Sequence, residues 1–391
     1  MLKAVIFDMD GVLIDSEPIH YQSNVTLLKR LSVEFPYDYY KKFIGSTCSY
    51  MWECIARDFN LDKSPQWLNT EGNKICEEIV RKQGYPPVKG AKELVKSIWE
   101  AGYKLAVASS SALPTIRSNM EAQGLTGYFD ELVSGEDVEN PKPAPDVFIK
   151  AAKMLGVSPN ECLVIEDSRN GVLAAKAADM TCLGFINPNS GEQNLDKADY
   201  LTESFEEMDA SYLNMIYCHS HDEPCVIAEN ERIYLREMML SDIDRMYEIY
   251  SEPEITRYME GLFEDKNEEI EFTKSYIENM YKFYEYGMWT VCLKDGTIIG
   301  RAGLCHREVD GENQIEVGYV IAKEYQRRHY ALEAVELAIE YGRKHLGLNF
   351  VNAFVIPENL PSIKLLEKIG FDYICNMDNE GKTYSMYRKN I

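Results

Sequence analysis

Near its start the chain reads VIFDMDGVLIDSE, residues 5–17. Three apolar residues, Val5, Ile6 and Phe7, run directly into Asp8, and Asp10 follows two positions later. Successive strand residues point to opposite faces, so Asp8 and Asp10 point the same way where the chain leaves the sheet. Taking a carboxylate out of water is costly unless a cation, a donor or a shared proton compensates. Two side by side need partners from elsewhere in the sequence. In an open parallel sheet, such partners gather outside the carboxyl ends of the strands.

The rest of the first half supplies that sheet. KAVIFD (3–8), KLAVAS (104–109), ELVSG (131–135), CLVIED (162–167) and TCLGFI (181–186) are near-continuous apolar runs separated by helical patterns. Runs of this kind predict strands buried on both faces, in a doubly wound α/β plan over residues 1–217. Residues 16–84 break the alternation: EPIHYQSNVTLLKRL, SYMWECIARDF and TEGNKICEEIVRKQG follow one another as helix upon helix. They predict a helical cap inserted after the first strand, leaving a core of 1–15 and 85–217.

Partners for the aspartates stand at the ends of the other predicted strands. Ser109, Ser110 and Ser111 follow LAVA, Lys142 lies in NPKPAPDVF, and Glu166 and Asp167 follow CLVI. Four acids around one site coexist with a hard cation such as Mg²⁺, which takes oxygen ligands and leaves positions for water and a phosphate. A hydroxyl and an ammonium suit the remaining phosphate oxygens. A carboxylate next to phosphorus can act as nucleophile, and a second acid can carry the proton.

DMDG, ASS, KPAPDVF and EDSRNG, in that order, resemble the four signature motifs of the haloacid dehalogenase superfamily, in the subgroup with a helical cap. The resemblance covers roughly the first 217 residues. It implies Asp8 as the nucleophile that forms an aspartyl-phosphate, and Asp10 as general acid and then general base. It implies Ser109, Ser110 and Lys142 as phosphate ligands, and Asp8, the Asp10 carbonyl, Glu166 and Asp167 as the Mg²⁺ site. His20 and GSTCS (45–49) fall where β-phosphoglucomutase-like relatives meet the substrate, and His20 is the candidate recognition residue of the cap. Those mutases carry an arginine at the position of Cys48, and a neutral thiol does not clamp a second phosphate. Hydrolysis of a small phosphate ester is therefore the expected reaction, with a phosphomutase as the alternative.

The segment 218–230, within CHSHDEPCVIAENE, fits neither period and is expected to be a linker. Its Cys and His spacing matches no structural zinc pattern. Beyond it the character changes: WTVCLKDGTIIGRAGLC (289–305) carries an Asp295-Gly296 hairpin signal, and LCHREVDGENQIEVGYVI (304–321) a second turn at 310–313. Residues 231–391 are expected to form an α+β domain. The run YIENMYKFYEYGMW (276–289) reads as core plus cleft wall.

EVGYVIAKEYQRRHYALEAVELAIEYG (316–342) followed by NLPSIKLLEKIGF (359–371) resembles the Gcn5-related N-acetyltransferases. There a strand ends, a basic loop turns, and a helix opens, and a helix N-terminus with its unpaired N–H groups suits a pyrophosphate. The resemblance implies that Gln326, Arg327, Arg328, His329, Tyr330 and Ala331 bind acetyl-CoA, with Asn359 and Ser362 at its pantetheine end. Glu316 is the candidate base for an amine acceptor. His329 stands where the family's first glycine is usual, and Leu366 where many relatives have a tyrosine acid. A non-catalytic module that binds coenzyme A is the alternative.

Composition narrows the partners. With 391 residues and 45% hydrophobic content, the chain is long enough for two cores. A net charge of −23 argues against a nucleic-acid partner. No apolar run reaches the roughly 20 residues of a membrane helix, and no signal-peptide pattern opens the chain. Ten scattered cysteines fit reduced thiols, so a cytoplasmic protein is expected.

Overall fold

The computed structural model describes residues 1–44, 46–309, 312–379 and 381–391. Of the features read from sequence, Gly45 of the GSTCS stretch and Asp310-Gly311 of the second turn lie outside the described residues. The chain divides into two compact units, Met1–His221 and Asp222–Ile391.

The first unit is built on β1 (Ala4–Phe7), β2 (Lys104–Ser109), β3 (Glu131–Ser134), β4 (Cys162–Glu166), β5 (Thr181–Phe185) and β6 (Tyr200–Thr202). They form one parallel sheet in the order β3-β2-β1-β4-β5-β6. The central strands β1, β4 and β5 are buried along their whole length, which is why they read as unbroken apolar runs. The short strand β6, half exposed, left no such run and was not read from sequence. With β1 flanked by β2 and β4, the ends of β1, β2 and β4 deliver their next residues to one place.

The insertion is helical as expected, with Glu17–Arg30, Cys48–Asp58 and Pro65–Gln83 as its main helices. They enclose a core of their own, including Leu27, Leu28, Trp52, Ile55, Leu68 and Ile75. Thr47 and Ser64 cap two of these helices through their hydroxyls. The cap is therefore a packed layer rather than a loop over the sheet.

The expected linker is mostly regular structure. Residues 218–220 complete the helix Ala210–Ser220, and β7 (Val226–Glu229) already belongs to the second sheet. Its polar sequence misled because Cys218, His219 and Cys225 are buried despite their neighbours. The units divide between His221 and Asp222.

The second unit adds β8 (Ile233–Arg236), β9 (Met288–Leu293), β10 (Ile298–Val309), β11 (Glu312–Ile321), β12 (Phe350–Val355), β13 (Asp372–Asn379) and β14 (Lys382–Asn390). The sheet order is β13-β14-β12-β11-β10-β9-β8-β7. Among the described residues of this sheet only β11 and β12 run parallel, paired at Glu316↔Asn352. The helix Tyr330–His345 packs its apolar stripe, with Ala334, Val335 and Ala338, on the face carrying Leu304 and Val317. The aromatic run leaves the helix Lys266–Tyr276 through a π-helical stretch, Ile277–Tyr284. It buries Tyr281 while Phe283 stays exposed.

Candidate active site

Asp8 follows the last residue of β1, and its N–H is held by Ile165 O of β4 at 3.0 Å. Lys142 reaches it across the sheet: Nζ lies 2.5 Å from Asp8 Oδ1, 2.7 Å from Glu166 Oε1 and 3.1 Å from Ala108 O. An ammonium has three protons, so Lys142 is fully used. Burial raises Asp8 to about 7, helped by the charges of Glu166 and Asp10 and opposed by Lys142. The two carboxylates hold Lys142 firmly protonated against the effect of burial.

Asp10 lies in the turn that follows β1. Its Oδ2 accepts from Ser111 Oγ at 3.2 Å, and the Ser16 hydroxyl lies nearby. Burial raises its carboxyl, with Ser111 and the nearby His20 pulling the other way. His20, on the first cap helix, is exposed, and its Nδ1 is 3.8 Å from Cys76 Sγ. The cap thus brings a titratable ring to the rim beside Asp10.

Ser109 is fully buried, and its Oγ accepts from Ser111 N at 3.1 Å, while Ser110 is exposed. Of the three serines read as partners for the aspartates, Ser111 is the one that touches Asp10. Ser190 is unforeseen: its Oγ donates to Asp167 Oδ2 at 2.8 Å. It comes from the loop after β5, in NPNS, where no pattern marked it.

Glu166, expected to assist at the metal site, is held by protein donors. Its Oε1 is taken by Lys142, and its Oε2 accepts from Ser168 N and Ser168 Oγ, both at 2.9 Å. These contacts let Glu166 fix Lys142 beside Asp8. Among the described residues no three His, Cys, Asp or Glu side chains are grouped as a metal cage. Mg²⁺ does not require one, because one or two carboxylates suffice when water and substrate oxygens complete the shell. Asp8 and Asp167 are the two carboxylates that would supply such a pair. Burial and the charges of Glu166 and Asp8 push Asp167 well above the usual carboxylate range, a cost that a cation would relieve. Gly11 lets Asp167 come close to the turn after Asp10: its φ is +82°, and a Cβ there would lie 2.0 Å from Asp167 Oδ2.

In the second unit Glu316 sits on the rung that pairs β11 with β12. Its Oε2 accepts from Arg307 at 3.1 Å. Burial raises its carboxyl, and Arg307 offsets only part of the rise.

The loop from Gln326 to Ala331 opens the helix Tyr330–His345. Gln326 donates its amide to Ile321 O at 2.9 Å. Arg328 has its carbonyl held by Arg232 at 3.0 Å, and Tyr330 lies under the Arg232 guanidinium at 4.3 Å. Arg327 and His329 both adopt left-handed conformations, with φ of 61° and 71°. His329 thus takes the backbone geometry that a glycine would adopt without strain, and its Nδ1 is 3.1 Å from Lys368 Nζ.

Asn359 is used as a helix cap, its Oδ1 accepting from Ser362 N at 3.3 Å. Ser362 Oγ pairs with Tyr319 Oη at 2.9 Å. Leu366 is core.

Comparison with known proteins matches both halves. Residues 5–185 match the family model described as haloacid dehalogenase-like hydrolase, and residues 232–372 the model described as acetyltransferase (GNAT) domain. YhcW of Bacillus subtilis (strain 168) is 32% identical over 218 residues, which is 54% of this chain and 96% of YhcW. The phosphorylated carbohydrates phosphatase of Thermotoga maritima is 30% identical over 181 residues, 45% of this chain and 82% of that protein. Hexitol phosphatase B of Escherichia coli (strain K12) is 29% identical over 219 residues, 54% of this chain and 96% of that protein. Through its first unit the chain belongs to the haloacid dehalogenase-like hydrolases, as a phosphatase, and its second unit matches the model of the acetyltransferase (GNAT) domain.

Proposed function

We propose that the first unit hydrolyses phosphomonoesters of sugar-like alcohols through an aspartyl-phosphate on Asp8. The observation that carries this reading is Lys142 bridging Asp8 and Glu166 while Asp10, two residues on, is held separately by Ser111. One carboxylate faces phosphorus; the other is placed to handle a proton. Asp8 attacks phosphorus, the ester P–O bond breaks, and the departing alkoxide takes the proton of Asp10, whose raised carboxyl holds it until then. Asp10 then accepts a proton from water, the water oxygen bonds to phosphorus, and the P–O bond to Asp8 breaks. Asp8, Asp167 and the Asp10 carbonyl would hold Mg²⁺, which when bound neutralises charge on the phosphoryl oxygens.

The sugar-like substrate is supported by relatives named for phosphorylated carbohydrates and hexitols. Hydrolysis is favoured over a mutase reaction because Cys48, exposed in the first turn of its cap helix, brings no positive charge to a second phosphate.

For the second unit we infer acetyl transfer from acetyl-CoA to an amine. Glu316 accepts the amine proton, the nitrogen attacks the thioester carbonyl, and the C–S bond breaks. The thiolate needs a proton that Leu366 cannot give, and Ser362, tied to Tyr319, is the hydroxyl we assign to it. The loop of residues 326–331 and the start of its helix would receive the pyrophosphate.

No helix among the described residues is long and apolar enough to cross a membrane. Cys162, Cys182, Cys292 and Cys305 are free thiols, in keeping with a cytoplasmic setting. A panel of sugar phosphates with and without Mg²⁺, read as phosphate release, tests the first assignment. Thermal stabilisation by acetyl-CoA tests the second, since a ligand bound only to the folded state raises its stability.

A further inference from the structure

Arg301 is a half-buried guanidinium that, among the described residues, has no carboxylate partner, in a protein of net charge −23. Among the described residues, its hydrogen bonds go only to the thioether of Met238, from Nε at 3.0 Å and from one Nη at 2.6 Å. A thioether is a weak acceptor, and an arginine has five N–H donors in a planar fork suited to an oxyanion. The contrast with its neighbours is direct. Arg236 is held bidentately by Asp242, and Arg307 is paired with Glu316.

The register shows what Arg301 faces. On β10 and β11 the rungs run Arg301↔Val320, Gly303↔Gly318 and Cys305↔Glu316. Alternation puts these three rungs on one sheet face, opposite the face of Leu304 and Val317 that meets the helix Tyr330–His345. Gly303 has to be glycine, since a Cβ there would lie 2.0 Å from Gly287 O. Over Gly318 lies only the flexible Met288 thioether, 3.3 Å from where a Cβ would be. Between the Arg301 and Glu316 rungs lies the glycine rung, against which the Gly287–Met288 segment packs.

Cys305 feels the charges of both Glu316 and Arg301 and is within hydrogen-bond reach of Tyr276, so these groups converge on one region. The outer rungs are four residues apart, roughly 13 Å of strand, a span that one long arginine side chain shortens to the size of a small metabolite.

We propose that this face is the acceptor subsite of the second unit, and that it selects amines bearing an oxyanion, a carboxylate or a phosphate. The amine lies at Glu316 and the oxyanion on Arg301. The proposal rests on the acetyl-transfer reading above and adds the class of acceptor. Binding exchanges the sulfur contact of Arg301 for a charged one, and no covalent step beyond acetyl transfer is involved.

The test uses the full chain and pairs of amines differing in the anionic group alone: an α-amino acid against its decarboxylated amine, and glucosamine against glucosamine 6-phosphate. Acetyl-CoA thermal stabilisation is measured on every variant as a control for folding and donor binding. The expected result is a preference of at least roughly tenfold in kcat/KM for the anionic member of one pair, which also tells carboxylate from phosphate. Arg301→Ala abolishes that preference through KM for the acceptor, and Arg301→Lys, which keeps the charge, retains part of it. Equal rates for both members of each pair, or a preference that survives Arg301→Ala, would overturn the proposal. Stabilisation of the wild type by acetyl-CoA with no acetylation of any anionic amine would also overturn it. Absence of stabilisation would instead remove the acetyl-transfer reading, and the proposal with it.

Discussion

Lys142 and Asp8, 134 residues apart in sequence, are joined by a 2.5 Å contact in a region closed to solvent, with Glu166 as the third member. One ammonium therefore neutralises two buried carboxylates. Replacing it by Met leaves both without a counter-charge, and losing one partner of a buried pair typically costs about 3–5 kcal/mol. Lys142→Met is expected to lower the unfolding free energy by that order and phosphate release by at least about a hundredfold. Denaturant unfolding and steady-state kinetics on the same preparation check both. Lys142→Arg keeps the charge but not the three-way fit, and should restore stability more than rate.

Gly11→Ala separates the backbone from the chemistry. The residue has a left-handed φ and no room for a Cβ beside Asp167. The backbone strain alone is about 1–2 kcal/mol, and the displaced Asp167 should raise the Mg²⁺ concentration needed for half-maximal phosphate release. An unchanged Mg²⁺ titration would show that Asp167 does not hold the ion.

Glu316 predicts a pH profile. Its carboxyl lies above the ordinary value, through burial that Arg307 only partly offsets. A base works only when deprotonated, so acetyl transfer should rise with pH through a point above the usual glutamate range and be lost below it. Glu316→Gln should remove that acid limb and slow transfer by about 10²–10⁴-fold, the usual contribution of a general base. Persistence of the same limb in the Gln variant would assign it to another group.

His329→Gly tests the loop. A left-handed residue other than glycine carries a strain of about 1–2 kcal/mol, and glycine's greater freedom in the unfolded chain returns about half of that. The variant is expected to be neutral to slightly more stable by thermal melting. Acetyl-CoA should stabilise it more than it stabilises the wild type, because a bare backbone admits a closer pyrophosphate.

The parts of this protein that were legible in sequence are those whose burial is uniform or periodic. Strands β1, β4 and β5 are solvent-free along their length, so their apolar runs were unmistakable, and the residues after them could be placed at one sheet end. The Asp295-Gly296 hairpin was equally plain, since the turn type demands those residues. What could not be read was partner choice. Glu166 and Asp167 are adjacent in sequence, yet Ser168 and Lys142 claim the first while Ser190 holds the second. Ser111 and Ser190 belong to stretches rich in small polar residues, where any hydroxyl looks alike until the loops are placed. The segment 218–230 shows the converse, since polar residues concealed the end of a helix and the start of a strand. Asn359 matched a ligand-binding position, and its cap of a helix through Oδ1 was not read from the pattern.

The account depends most on Asp8 as the group that takes the phosphoryl. The direct measurement is phosphate release by Asp8→Asn against the wild type, with a sugar phosphate the wild type turns over, saturating Mg²⁺, and matched unfolding curves to show that both are folded. The account predicts a loss of at least about a thousandfold, as removal of a nucleophile produces elsewhere. An Asp8→Asn rate within tenfold of the wild type would contradict it.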